Sequence, residues 1–272
     1  MAEKPGPRPA VLLVLAGTAF FLCFGLGRMT GRPHDPAPVR PARVSAEALA
    51  EGFAALAERT YPALVSISVD TGTSFSMSGL MERLRRQFLP EQDTPSRNAS
   101  GFVVRKDGCI VTSGPALRNA RRILVTLADG RRLRARIVDR QADGLAVIKV
   151  ASATPLPTLP LGRADGLRAG AIVLAAGDPY ELEHSFSQGV ISAVHRRLEG
   201  VQGGALGGQQ LLQTDAAVNE GSGGGPLLDA SGRVVGVTVA VLSPEGTNSG
   251  VGFAIPLDGR RLGFLARALR KA

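Results

Sequence analysis

The feature that most restricts what this chain can fold into is a succession of short β-branched runs closed off by turn residues. From Ala63 onward ALVSISV, GFVVRKDGCIVT, RILVTLADGRRLRARIV and GLAVIKV follow one another, with Asp-Gly pairs at Asp107-Gly108 and Asp129-Gly130. Asp-Gly between strand-forming runs supplies the positive-φ turn of a tight hairpin. AIVLAAG, QGVISAV, LLQTDAAV and GRVVGVTVAVL repeat the texture further on. Few helical periods separate these runs, so their apolar faces must be covered by antiparallel sheets closing on themselves, and the expectation is an all-β fold. Composition agrees, because 34 Gly and 18 Pro in 272 residues with no Trp favour many turns over long helices. A chain of this length buries a core without disulfides. Its two cysteines, Cys23 and Cys109, provide neither a disulfide framework nor a zinc pattern, so both are expected to be unpaired. The net charge of +9 suits acidic partners. The arginines are scattered with no aromatic-basic stripe, however, so nucleic acid is not an expected partner.

The N-terminus has a different character. After a basic tail, residues 1–9 with Lys4 and Arg8, comes the uncharged run AVLLVLAGTAFFLCFGLG over residues 10–27. As a helix it is about 27 Å long, enough to cross a bilayer. No small-residue cleavage site directly follows it, which favours an uncleaved transmembrane helix over a signal peptide. Residues 28–44, rich in Pro and Arg, read as an extended linker. Folding resumes over residues 45–272. Ser45 can cap a helix with Leu49, Phe53 and Leu56 on one face, ending near Tyr61-Pro62. The stretch from Thr71 to Ala99 reads as a long connection. A short C-terminal helix with Leu262, Leu265, Ala266 and Leu269 on one face closes the chain.

The runs also carry longer words: SGFVVRKDGCIVTS, VTLADGRRLRARIVDR, LAVIKV, LPLGRADGLRAGAIVLAAGDPYELEHSFSQGVISAV, LLQTDAAVNEGSGGGPLLDASGRVVGV and GVGFAIPLD. In order and spacing they resemble the protease domain of the HtrA/Deg family of trypsin-like serine proteases, from about Leu49 to the C-terminus. The resemblance implies a chymotrypsin-like pair of six-stranded β-barrels, about residues 63–152 and 156–256, and no PDZ domain.

That chemistry needs a serine nucleophile, a histidine base and an aspartate that orients the base. In the family the histidine stands in a word like IVTNNHVV; here the word is IVTSGPAL, and Pro115 takes the place of the base. The family's aspartate directly precedes Leu-Ala-Val, where this chain has Gly144. Asp143 stands one residue early, and a one-residue slip turns a strand side chain to the opposite face unless the chain bulges. The family's GNSGGP becomes Gly221-Ser222-Gly223-Gly224-Gly225-Pro226, which puts Gly223 at the nucleophile position and Ser222 beside it. Loss of the base and the nucleophile together removes most of what a triad contributes, so the expectation is a pseudoprotease with no catalytic residue and no cofactor.

Binding features remain. The turn around Gly221, Gly223 and Gly224 could still present backbone N–H groups, and Thr214, Asp215, Gly252 and Phe253 fall in words that resemble the family's substrate cleft. A cleft edge of this kind accepts an extended peptide as an added strand. The leading expectation is a membrane-anchored binding, scaffold or regulatory module for extended peptides or for intact HtrA-like proteases. The resemblance further implies a homotrimer built around Tyr61 and a periplasmic domain held at the inner membrane. Arg28, Arg32, Arg40 and Arg43 after the apolar run conflict with export by the positive-inside count. Two alternatives stay open. One is an active serine endopeptidase using Ser222 with Asp143 or a histidine from elsewhere; the other is a metal-binding scaffold using His184 or His195.

Overall fold

The structure, a computed structural model, describes residues 46–71, 96–141, 144–178, 185–198, 208–241 and 250–272. The expected anchor at 10–27, its flanking segments, Asp143 and His184 lie outside the described residues. Among the described residues no helix is long and apolar enough to cross a membrane.

Helix α1 (Ala46–Thr60) leads in. Pro62 cannot continue it, and one 3-10 turn (Tyr61–Ala63) delivers the chain to the first strand. Leu56 is buried, Phe53 packs on the same core, and Arg59 donates to the Ser231 carbonyl at 3.0 Å.

Six strands then form a closed barrel: β1 (Leu64–Asp70), β2 (Ser96–Arg105), β3 (Cys109–Ser113), β4 (Arg122–Leu127), β5 (Arg132–Arg140) and β6 (Leu145–Val150), in the order β1-β2-β3-β6-β5-β4. Alternation decides which side chains fill it. On β1, Val65, Ile67 and Val69 point inward while Ser66 and Ser68 face out. A second closed barrel follows with β7 (Ile172–Gly177), β8 (Ser185–Arg196), β9 (Leu211–Thr214), β10 (Pro226–Asp229), β11 (Val234–Val241) and β12 (Gly252–Pro256), in the order β10-β11-β12-β9-β8-β7. The all-β expectation of two six-stranded barrels and a short C-terminal helix is met. That helix, α2 (Gly259–Lys271), starts at Asp258, whose side chain accepts the Arg261 N–H.

The barrels are not separate bodies. One continuous apolar cluster joins Phe102, Val111, Leu145 and Val147 of the first to Leu174, Leu228, Val237 and Phe253 of the second. The segment between them is laced to both: Leu156 N–H donates to the Lys106 carbonyl at 2.8 Å and Gly162 N–H to the Val234 carbonyl at 2.8 Å.

Two sequence expectations need correction. The connection from Thr71 to Ala99 ends earlier than expected, because Ser96–Ala99 already belongs to β2. Pairing with β1 imposes the strand there, with Asn98 opposite Ser68 and Ala99 opposite Ile67. The run LLQTDAAV is a strand only over Leu211–Thr214, since Asp215 leaves the ladder and accepts the Val190 N–H at 2.7 Å.

Candidate functional site: a cleft between the barrels

A cleft of about 440 Å³ opens where the barrels meet. Arg97, Asn98 and Ala99 of β2, with Ser113, Pro115 and Ala116, form the first-barrel wall, and Val218 to Gly221, Gly223 and Val239 form the other. Pro115 begins a 3-10 turn (Pro115–Leu117) at the end of β3, and its carbonyl accepts from the Arg97 guanidinium at 3.4 Å. A tertiary amide ring therefore occupies the first-barrel side of the cleft.

The glycine-rich turn sets the opposite side, and each position in it has a different surrounding. A Cβ built on Gly223 would meet only the Val239 carbonyl, at 3.8 Å, so this position opens onto the cleft. Gly224 is the reverse: its φ is +97° and a Cβ would lie 2.3 Å from the Ser100 carbonyl oxygen. Only glycine fits there. Ser222 faces away from the cleft, into a separate recess beside Gly177, Phe186 and Thr238. It is 7 % exposed, and its hydroxyl accepts the Asn219 N–H at 3.4 Å.

The backbone donors of the turn divide in the same way. Ser222 N–H donates to the Asn219 carbonyl, Gly224 N–H to the Thr238 carbonyl at 2.6 Å and Gly225 N–H to the Ser222 carbonyl. Gly224 is thus not an available donor, which corrects the expectation placed on it. Among the described residues no acceptor meets the N–H of Gly221 or Gly223. Two half-buried N–H groups two residues apart on one turn form an anion-binding pair of the kind that stabilises a carbonyl oxygen.

Ser100 of β2 holds this turn against the first barrel. Its N–H donates to the Gly223 carbonyl at 3.0 Å and its hydroxyl to the Gly221 carbonyl at 2.8 Å, while the same hydroxyl accepts the Asp178 N–H at 2.8 Å. Nothing in the sequence pattern singled out Ser100, because a lone serine within a strand carries no chemical signature.

The remaining expected positions sit elsewhere. Gly144 closes a turn with φ +98°, donating its N–H to Gln141 and accepting the Gly114 N–H at 2.7 Å. Thr214 is buried and hydrogen-bonds the Val190 carbonyl at 2.8 Å, and Asp215 is exposed on the far side of that strand end. Gly252 backs Val218, with Val218 Cγ2 3.0 Å from where its Cβ would stand, and Phe253 is buried in the core. None of these four is among the residues that line the cleft. Val218 and Val239, which do line it, went unremarked in the sequence. His195 lies at the exposed end of β8, its Nδ1 3.0 Å from Gln210 Oε1 and outside the cleft lining. Among the described residues no three His, Cys, Asp or Glu side chains gather as a metal site.

Comparison with known proteins places these features in a family. The trypsin-like peptidase domain matches residues 99–237. The mitochondrial serine protease HTRA2 of Bos taurus is 34 % identical over 265 residues, 96 % of this chain and 53 % of that protein. A probable periplasmic serine endoprotease, DegP-like, of Chlamydia trachomatis is 42 % identical over 174 residues, 63 % of this chain and 34 % of its own length. The chain therefore spans about half or less of the length of these curated relatives. Among solved structures, the HtrA-type protease AlgW with a tripeptide superposes with a TM-score of 0.65 at 30 % identity, covering 79 % of this chain and 62 % of that one.

Proposed function

Because the chain belongs to the HtrA/Deg branch of the trypsin-like peptidase family, we propose that it is a non-catalytic member that binds extended peptide segments in the inter-barrel cleft. The observation that carries this reading is the division at the turn. The position opening onto the cleft is Gly223, without a hydroxyl, while the neighbouring hydroxyl of Ser222 faces another recess. Across the cleft stands Pro115, which has no proton to give or take.

What supports peptide binding is the cleft's backbone. The register of β11 against β12 shifts between Thr238 and Ala240, which leaves Val239 outside the run of paired residues and beside Gly223. A chain laid along Val239 gains main-chain hydrogen bonds as an added strand. One of its carbonyls meets the N–H groups of Gly221 and Gly223. The apolar lining of Ala99, Ala116, Val218 and Val239 suits small aliphatic side chains, and Arg97 and Glu220 bring one charge of each sign. The similarity to AlgW, solved with a bound tripeptide, agrees with this use.

Residues 10–27 serve as a single-pass inner-membrane anchor and 28–44 as its linker, with the domain from 45 in the periplasm. There it binds peptides, or regulates intact HtrA-like proteases, as a trimer formed around Tyr61.

Two measurements on the purified full chain test the proposal. A fluorophosphonate probe is expected to leave the protein unlabelled; stoichiometric labelling that disappears in Ser222→Ala would mean an active peptidase and overturn it. A fluorescein-labelled ten-residue Val/Ala-rich peptide is expected to show saturable polarisation. That signal should fall at least tenfold in affinity in Gly223→Val, whose branched side chain projects into the cleft. Absence of binding would remove the binding role.

A further inference from the structure

A strongly basic recess lies on the first barrel and shares no lining residue with the cleft. It has a volume of about 460 Å³ and runs between β4 and β5, lined by residues 120–123 and 134–137. Four of these eight residues are arginines: Arg121, Arg122, Arg134 and Arg136. On β5, Arg134 and Arg136 alternate with the half-buried Ala135 and Ile137, so both guanidinium groups leave the same exposed face. Leu124 pairs with Arg134, and continuing that register by two residues puts Arg122 opposite Arg136. Like charges placed across a strand pair destabilise it.

The described residues do little to neutralise this. The carboxylates of the β4–β5 hairpin and its continuation are engaged elsewhere, Asp129 with Arg131 at 2.8 Å and Asp139 with Lys271 at 2.5 Å. Among the described residues no ion pair or side-chain hydrogen bond reaches Arg121, Arg122 or Arg134, although Asp70 stands across the ladder from Arg122. Arg136 reaches, among the described residues, only the carbonyl of Ala272, at 3.3 Å. Each guanidinium carries five N–H donors in a planar fork. Along a strand, alternate residues are about 6.8 Å apart and neighbouring strands about 4.8 Å apart. Arg122, Arg134 and Arg136 therefore share one small patch, and Arg121 lines its edge.

We propose that this recess binds a ligand bearing clustered phosphate groups. A carboxylate offers two oxygens, enough for one fork; a phosphate offers three and close to two negative charges, and two linked phosphates occupy all four arginines bidentately. The same chemistry arises from a soluble phosphate ester or from phosphate headgroups at a membrane surface. The proposal is independent of the peptide cleft, so the two stand or fall separately.

Two probes applied to the full chain in detergent micelles or reconstituted bilayers, at about 0.15 M salt so that diffuse attraction is screened, test it. By titration calorimetry, inorganic pyrophosphate is expected to bind saturably at one site. Affinity should drop at least tenfold in the double variant Arg122→Ala/Arg134→Ala and by less than twofold in Arg168→Ala, an exposed arginine on the other barrel. In the second arm, protein in nanodiscs is scored for docking to vesicles containing phosphatidylglycerol against vesicles of phosphatidylcholine alone. Docking to the anionic vesicles that the double variant abolishes identifies headgroups as the source, whereas pyrophosphate binding without docking identifies a soluble ligand. The proposal is overturned if neither probe binds, if the double variant binds as tightly as the parent, if Arg168→Ala loses as much as the double variant, or if tricarballylate binds as tightly as pyrophosphate. Circular dichroism of the double variant, expected to match the parent because both side chains are exposed, confirms that a loss reflects the site.

Discussion

Gly223 and Gly224 are adjacent, yet a side chain at one meets open cleft and at the other meets backbone. Gly223→Ser should change stability by less than about 1 kcal/mol, since its Cβ has only the Val239 carbonyl as neighbour, at 3.8 Å. Gly224→Ser combines a φ of +97° with a Cβ 2.3 Å from the Ser100 oxygen, and should cost at least about 3 kcal/mol. Urea denaturation of the two variants checks both; equal losses would show that the turn is looser than its contacts require. Gly223→Ser should also remain unlabelled by fluorophosphonate, because a serine there faces Pro115 and lacks a base. Pro115, Gly144 and Gly223 could be picked out in the sequence because each stands inside a long word whose register the neighbouring residues fix. What the sequence could not give was the direction of side chains on either side of that turn. Ser222 and Gly223 are one residue apart, and only the folded turn separates the recess of one from the cleft of the other. Thr214, Asp215, Gly252 and Phe253 illustrate the same point, since adjacency in a word does not say which face of a strand a residue occupies.

At the level of elements, the hairpins were the most legible part, since Asp-Gly turns and β-branched runs state both the strands and their order. Strand ends were less so. Ser96–Ala99 lacks β-branched residues and becomes strand only because β1 pairs with it, a tertiary influence that local pattern does not contain. The β2–β3 hairpin is stiffened by a charge cluster. Arg105 binds Asp107 through two nitrogens, at 2.8 and 2.6 Å, and Lys149 of β6 reaches the same carboxylate at 2.7 Å. The Arg105 hydrogen bond, then that of Lys149, holds the Asp107 carboxyl well below the usual carboxylate range. With the Asp107 side chain 49 % exposed, solvent screening limits its worth, and Asp107→Asn should cost about 1 kcal/mol at neutral pH. A depressed folded-state pKa stabilises above the unfolded pKa, so the gap between parent and variant should be full at neutral pH. It should begin to close below about pH 4 and vanish as the folded carboxyl takes up its proton. Urea midpoints of both proteins across pH 3 to 7 check the sign, and a gap that widens toward acid would refute it. Helix α2 depends on a second pair: Asp258 caps its first turn and also pairs with Arg261, 2 % exposed, at 2.5 Å. Asp258→Ala removes the cap and the ion pair of a buried guanidinium that keeps its bond to Gln209, with an expected loss of about 2 kcal/mol by the same measurement.

Across the whole molecule, the cleft exists because two closed barrels are held at one fixed distance, and two kinds of contact hold them. One is the apolar cluster shared by Phe102, Val147, Leu174 and Phe253. The other is polar and centres on Ser100 and Asp178. Ser100, 1 % exposed, donates to Gly221 and accepts from Asp178, whose carboxylate in turn accepts from the Ser66 hydroxyl. A shared apolar core makes it costly for one barrel to open while the other stays closed, so the described domain should unfold in one step. The calorimetric and van't Hoff enthalpies should then agree. Ser100→Ala leaves this core intact but strands a half-buried carbonyl at Gly221 and a buried N–H at Asp178, for an expected loss of about 2–3 kcal/mol. The transition should move to lower temperature without splitting. Its effect on the cleft follows from the same bonds: once Gly221 is released, its N–H no longer holds a fixed position beside that of Gly223. Peptide affinity in the polarisation assay should therefore fall several-fold at a temperature where the variant is still fully folded. A second transition in Ser100→Ala would mean that the barrels are coupled by this serine more than by their core. Unchanged peptide affinity would mean that the Gly221 N–H takes no part in binding.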